Sequence, residues 1–131
     1  MSASIKTIAV IYIFMLAGIV VLADVRQTQF LFASIRNLPF GDKIGHFCLM
    51  GVFSLVVNLA FEGRTVHVWK LNYLLGSLIV LAIVTAEEFS QIYVRGRTFD
   101  LTDLLADAAG IFIFGEIARF IITKKFNCLH R

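Results

Sequence analysis

Proline, cysteine, tryptophan and charge are all scarce in this chain. One proline in 131 residues leaves helices with few breaks, because proline is the residue that removes a backbone donor and ends a helical run. The two cysteines suggest no disulfide: Cys48 lies inside an apolar stretch and Cys128 near the C-terminus, and the topology derived below keeps them apart. Cys48 reads as a small core hydrophobe. Charged residues make up 16% of the chain and the net charge is +3, too modest to suggest a nucleic-acid partner. There is no internal repeat and no low-complexity tract. The length leaves no room for a separate soluble domain of any size.

What is present is apolar. Hydrophobic residues reach 59% and the mean hydropathy is +0.85, against about 45–50% apolar residues in an ordinary soluble domain. Thirteen phenylalanines suit lipid-facing helices. The composition predicts a one-domain integral membrane protein, an all-α four-helix transmembrane bundle. The expected spans are about 5–23, 43–61, 71–94 and 101–122. The first could instead be a signal peptide, with Val21 and Ala23 at the cleavage positions; a retained helix is preferred. The third would be about 36 Å long, so its last turns should leave the hydrocarbon. The fourth is fully apolar only from Ala108 to Gly115 and should be shielded by its neighbours.

Basic residues set the orientation. With four spans, one side carries Lys6, Arg64, Lys70, Arg119, Lys124, Lys125 and Arg131, and the other carries Arg26, Arg36, Lys43, Arg95 and Arg97. Seven against five places both termini in the cytoplasm by the positive-inside rule. The other side then faces the periplasm or cell exterior. The outer loop from Asp24 to Gly41 interleaves Phe30, Leu31, Phe32 and Ile35 with Gln27, Gln29, Ser34 and Arg36, a spacing that can lay an interfacial helix on the membrane surface. Leu38-Pro39-Phe40-Gly41 then breaks it, and Asp42 follows at a natural N-cap position.

The ionisable residues converge on that outer face. Asp42 and His46 stand at i and i+4 with Lys43 beside them; Glu88, Gln91 and Arg95 stand at i, i+3 and i+7; Asp103, Asp107 and Gly110 repeat that spacing with Asp100 just before. Each set shares one helix face. Ser54 and Asn58 continue the His46 face toward the bundle interior. Several of these residues also have plain structural uses. Asp42 and Asp100 can cap helices, Asp103 suits a first helical turn, and Arg95 and Arg97 can be solvated or snorkel to headgroups. Glu87 points away from the Glu88 stripe. Glu88 and Asp107 are harder to explain so, because each lies within an apolar span and needs a partner or water.

The blocks Asp42-Lys43-x-x-His46, Glu88-x-x-Gln91 and Arg97-x-x-Asp100-x-x-Asp103-x-x-x-Asp107-x-x-Gly110 resemble the pattern of the VanZ-like family, in order and at helix ends. The resemblance covers about Asp42 to Gly115. Asp107 stands where that family often has Asn, and Arg95 where it often has Pro. The resemblance implies a small multi-span bacterial membrane protein. The family's founding member is associated with resistance to the glycopeptide teicoplanin.

Two classes of function fit these residues. In the first, the protein acts on, or binds, a lipid-linked envelope precursor or membrane lipid at the outer leaflet. Glu88, His46, Asp103 and Asp107 are then the acid–base candidates. Lys43, Gln91, Arg95, Arg97, Asp42 and Asp100 are the substrate-binding candidates, with guanidinium forks suited to phosphate. A divalent cation held by Glu88, Asp100, Asp103 and His46 is an alternative device, with Mg²⁺, Mn²⁺ or Ca²⁺ better matched than structural Zn²⁺. No obligatory nucleophile stands out, since Ser90 faces away from Gln91. In the second class the protein is a non-catalytic envelope accessory or assembly factor, and the cluster is a recognition or structural network. Gly76, Gly110 and Gly115 would then permit close helix contact within the chain or in a homo-oligomer. Four spans are few for a transporter.

Overall fold

The computed structural model describes residues 7, 10–12, 14, 40–93 and 99–129. The chain is mostly helical. Thr7, Val10, Ile11, Tyr12 and Phe14 are helical, inside the first expected span. Helix α1 is Gly41–Ala60. A β-hairpin follows, β1 Thr65–Val68 paired antiparallel with β2 Leu71–Leu74. Helix α2 is Leu75–Ser90, followed by a 3₁₀ turn at Gln91–Tyr93. Helix α3 is Leu101–Leu129.

Local chemistry sets the element ends. Helix α1 stops in a Schellman arrangement: the Gly63 N–H donates to Asn58 O at 2.9 Å and the Glu62 N–H to Leu59 O at 3.1 Å. Glu62 and Gly63 both have positive φ, 56° and 67°, which satisfies the last carbonyls and turns the chain back. The Leu75 N–H donates to Arg64 O at 2.8 Å and closes the base of the hairpin. Asp100 starts α3. Its carboxylate accepts from the Thr102 N–H at 2.8 Å and the Thr102 hydroxyl at 2.6 Å, as an N-cap should.

The core gathers Met50, Phe53 and Val57 of α1, Val80 and Val84 of α2 and Ile111 of α3. Tyr12 stacks on Phe53 and its hydroxyl donates to Leu49 O at 3.1 Å, which fastens the N-terminal helical residues to α1. Helices α1 and α3 approach most closely. A Cβ on Gly110 would meet the carbonyl oxygen of Phe47, and one on Gly51 would meet the Phe114 ring at 2.5 Å. Gly76 lies against Asn58, and Gly115 against the Ser77 hydroxyl. The small residues expected to allow close contact therefore do so within one chain.

The polarity of the interior is inverted at several places. Ser54, Asn58, Ser77, Glu88 and Asp107 are buried, whereas Ile11, Phe14, Ile83, Ile113 and Phe120 are exposed. Asn58 Nδ2 donates to Ser77 Oγ at 2.8 Å and to Ser54 O at 2.9 Å, and its Oδ1 accepts from the Ser77 N–H at 3.2 Å. Ser54 Oγ donates to Ile111 O at 2.8 Å. One polar knot thus ties the C-terminal part of α1, the first turn of α2 and the body of α3.

Several expectations are corrected. Residues 71–74 of the third expected span form a strand, because Thr65–Val68 pairs with them and Val66, Tyr73 and Val68 favour extended backbone. That span also ends as a regular helix at Ser90, before the expected Val94. Helix α3 runs past Ile122 to Leu129, 29 residues in all and about 43 Å. Asp42 is not the N-cap of α1: Phe40 is, at φ 63° with no side-chain cap, and Asp42 lies in the first turn. Cys48 is exposed, not in the core. The interfacial helix expected before Gly41 lies outside the described residues. Among the described residues one helix is long and apolar enough to cross a membrane, Lys43–Ala60 at mean hydropathy 1.6. Helix α2, with 16 residues, measures about 24 Å and is short for a hydrocarbon core of about 30 Å. Helix α3 carries Asp103, Asp107, Glu116 and Arg119, which dilute its apolar run.

Candidate functional site

The N-terminal turns of α1 and α3 and the C-terminal end of α2 meet at one end of the bundle, because α1 runs antiparallel to α2 and the hairpin joins their far ends. Lys43 Nζ lies 2.9 Å from Asp103 Oδ1 and 3.6 Å from Asp100 Oδ2. His46 Nδ1 lies 3.1 Å from Asp107 Oδ1 and 3.3 Å from its Oδ2. The Asp100 N–H donates to Glu88 Oε1 at 3.0 Å. A continuous path therefore runs from Glu88 through Asp100 and Lys43 to Asp103, with the His46–Asp107 pair one turn deeper.

Depth separates these groups. The Glu88 and Asp107 residues are 2% and 1% exposed, while Lys43, Asp100 and Asp103 sit toward the surface. An ionised Asp107 can only accept, which puts the His46 proton on Nδ1 and makes Nε2 the basic nitrogen of the neutral ring. His46, Asp103 and Glu87 are close enough to act electrostatically on the Glu88 carboxyl. Hydrogen bonds from the Thr102 hydroxyl and N–H hold the Asp100 carboxyl below the ordinary aspartate range, and Lys43 adds to this.

The described cluster is acidic. Among the described residues Glu88, Asp100, Asp103 and Asp107 gather with one lysine and one histidine. The residues weighed for a divalent cation lie near one another but do not converge on a common point. Asp100 and Asp103 turn to Thr102 and Lys43, and among the described residues no group of three or more His, Cys, Asp or Glu side chains is placed to hold a metal ion.

The structure thus brings together Lys43, His46, Glu88, Asp100, Asp103 and Asp107 as their spacing implied. Arg95 and Arg97 lie outside the described residues, as do the side chains of Asp42 and Gln91. Glu87 is half-buried beside the stripe, and the Ser90 hydroxyl donates to Glu87 O at 2.6 Å, away from the cluster. Sequence reasoning missed Thr102, which fixes Asp100, and Ser77, which completes the buried knot. Their signals were faint: a hydroxyl two residues after a cap, and one serine beside Gly76 in an apolar run. A cavity of about 170 Å³ opens at the opposite end, between β2 and α3, lined by Leu71, Tyr73, Phe112 and Arg119 among others, so it is not part of this cluster.

A family model described as VanZ/LLP1 matches residues 5–122. No curated protein and no solved structure matches the chain.

Proposed function

This chain belongs to the VanZ/LLP1 family, and from that premise we propose that it is a multi-pass protein of the bacterial cytoplasmic membrane, in the cell envelope. In this reading the acid–base cluster faces outward and handles the polar head of a lipid-linked envelope precursor. The observation that carries it is the inverted polarity: two buried carboxylates, Glu88 and Asp107, and an amide knot inside, the half-buried His46 against Asp107, and large apolar side chains outside. Intramembrane ionisable groups that pair across helices are costly and are retained for a task. The four spans correspond to the N-terminal helical segment, α1, α2 and α3, with α2 reaching full length only with the 3₁₀ turn at Gln91–Tyr93 that follows it.

Within this reading Glu88 or His46 is the general base that takes a proton from the substrate. Asp107 orients the His46 ring, and the Asp100 N–H holds Glu88 in place. Phosphate contacts fall to Arg95 and Arg97, since Lys43 is engaged by Asp103 and Asp100. Glycopeptide sensitivity is the phenotype to examine first, given the family. A purified, reconstituted protein should turn over or bind a phosphorylated polyprenyl lipid, and Glu88→Gln should abolish this while insertion and melting persist. A Glu88→Gln protein that unfolds, with residual activity tracking its folded fraction, would overturn the assignment.

One observation favours a second reading. Lys43 and His46 both already have carboxylate partners across helices, as expected of a network that fixes how α1 and α3 dock. The protein would then be a non-catalytic envelope accessory or assembly factor, as a monomer or a homo-oligomer. Binding of the same lipid without turnover, unchanged in Glu88→Gln, would select it.

A further inference from the structure

The hairpin that joins α1 to α2 is amphipathic in a way the helices are not. Cross-strand partners share a face, and so do alternate residues along a strand. The register pairs Val66 with Tyr73 and Val68 with Leu71, so Val66, Val68, Leu71 and Tyr73 form one wholly apolar face. The other face carries Thr65, His67, Asn72 and Leu74. It is polar but for Leu74, which is buried. His67 Nδ1 lies 2.8 Å from Asn72 Oδ1, and Arg119 donates to Asn72 O at 3.3 Å. The apolar face is uncovered: Leu71 is 60% exposed and Val68 48%. It continues into the outer surface of α3, where Phe112 lies 6.4 Å from the Tyr73 ring, centroid to centroid.

The turn adds a second observation. Trp69 is 92% exposed and sits at φ 58°, at the first central position of a two-residue hairpin turn, where glycine or asparagine is favoured. A bulky residue there is strained, and strain of this kind marks a functional constraint. Charge supplies the third. Arg64, Lys70, Lys124 and Lys125 are exposed at this end with Arg119 nearby, against Glu62 and Glu116. Lys124 and Lys125 belong here because Ile122 packs on Gly63.

We infer that this hairpin is an interfacial anchor, laid with its Val66–Val68–Leu71–Tyr73 face on the hydrocarbon and Trp69 at the headgroups of an anionic leaflet. The inference rests on the membrane reading above. Depth follows from hydrogen bonding. A two-stranded ribbon has two open edges, and unpaired backbone groups exclude it from the hydrocarbon core but not from the interface. At about 13 Å per strand the ribbon is too short to span. Tryptophan prefers this level, and basic residues beside it are drawn to acidic lipid.

Trp69 is the chain's one tryptophan, so its fluorescence reports directly. The full chain is reconstituted into phosphatidylcholine vesicles with and without phosphatidylglycerol. The expected emission is blue-shifted from that of the unfolded chain, and more so with phosphatidylglycerol. Lipid brominated near the headgroup should quench it more than lipid brominated near the chain end. Lys70→Glu should reduce the extra shift in anionic vesicles. Water-like emission from protein that floats with the vesicles would overturn the anchor and leave the membrane reading standing. A blue shift that no brominated lipid quenches would mean that protein covers the face, and would overturn the lipid occupant. Equal spectra in both vesicle types would overturn the anionic preference. Protein that fails to float with vesicles would overturn the membrane reading, and the anchor with it.

Discussion

Three glycines on two facing helices should respond to alanine with different signs. Gly45 has nothing within 4 Å of where its Cβ would lie. Alanine there gains helix propensity, about 0.8–1 kcal/mol, and loses no contact. Gly51 would push a Cβ into the Phe114 ring at 2.5 Å. That ring is a side chain and can swing aside, so the helix-propensity gain and the repacking cost should roughly cancel. Gly110 differs in kind. Its Cβ would meet the Phe47 carbonyl oxygen and lie 3.0 Å from the Phe47 carbonyl carbon and 3.2 Å from the Gly51 nitrogen, and backbone inside a helix cannot step aside. The two helices must separate. Overpacking costs about 1–3 kcal/mol, so Gly110→Ala should lose roughly 1–2 kcal/mol net after the propensity gain of about 1 kcal/mol. The separation falls beside His46 and one turn from Asp107, so it should also loosen that pair. Reversible unfolding in mixed micelles, followed by far-ultraviolet circular dichroism, gives the three differences on one scale. A Gly110→Ala protein as stable as the parent would refute the close α1–α3 approach. A destabilised Gly45→Ala protein would mean that another surface covers α1 at that point.

Further outcomes follow from the same contacts. Asp100 has a folded-state pKa below its ordinary 3.8, so its stabilising contribution is present above that value and is lost as pH falls through the lower folded one. Melting should therefore decline in that acid window, and less so in Thr102→Val, which keeps the N–H bond but lacks the hydroxyl; parallel curves would refute the role of Thr102. Asn58→Ala leaves the Ser77 N–H without its amide acceptor and should cost about 1–3 kcal/mol, with Ser77→Ala adding less than its own single effect in a double-mutant cycle; full additivity would show that the two are not coupled. In a cysteine-free background, an outside-only thiol reagent should label a cysteine at position 98 and miss one at position 65, and the reverse pattern would invert the orientation.

The polar stripes were legible because helical period is strict, but the pairs they make, His46 with Asp107 and Lys43 with Asp103, were not, since Lys43 read as a phosphate ligand. Ser54 and Asn58 likewise pointed inward as their periodicity required. What was not legible came from long-range or backbone effects. Leu71–Leu74 reads as the start of an apolar helix until Thr65–Val68 is available to pair with it. Asp42 had the right residue type for a cap, but the left-handed Phe40 started α1 two residues earlier. Cys48 sits in an apolar run whose other residues decide which side is covered, and it falls on the uncovered one. The length of α3 was underestimated because Thr123, Lys124 and Lys125 look like a stop, although straight-chain basic residues continue a helix well.

The knot at Asn58 has a consequence for how the chain is made. Its Oδ1 accepts from Ser77, 19 residues further on, and Ser54 reaches Ile111, 57 residues ahead. While α1 is synthesised and α2 is not, the amide nitrogen has Ser54 of its own helix but the amide oxygen lacks its native donor. Helix α1 alone is therefore incomplete, long and apolar enough to cross a membrane yet carrying an amide whose oxygen waits for α2. Docking of α2 silences the oxygen, and arrival of α3 closes the set. A chain truncated before α2 keeps that amide oxygen without its Ser77 donor.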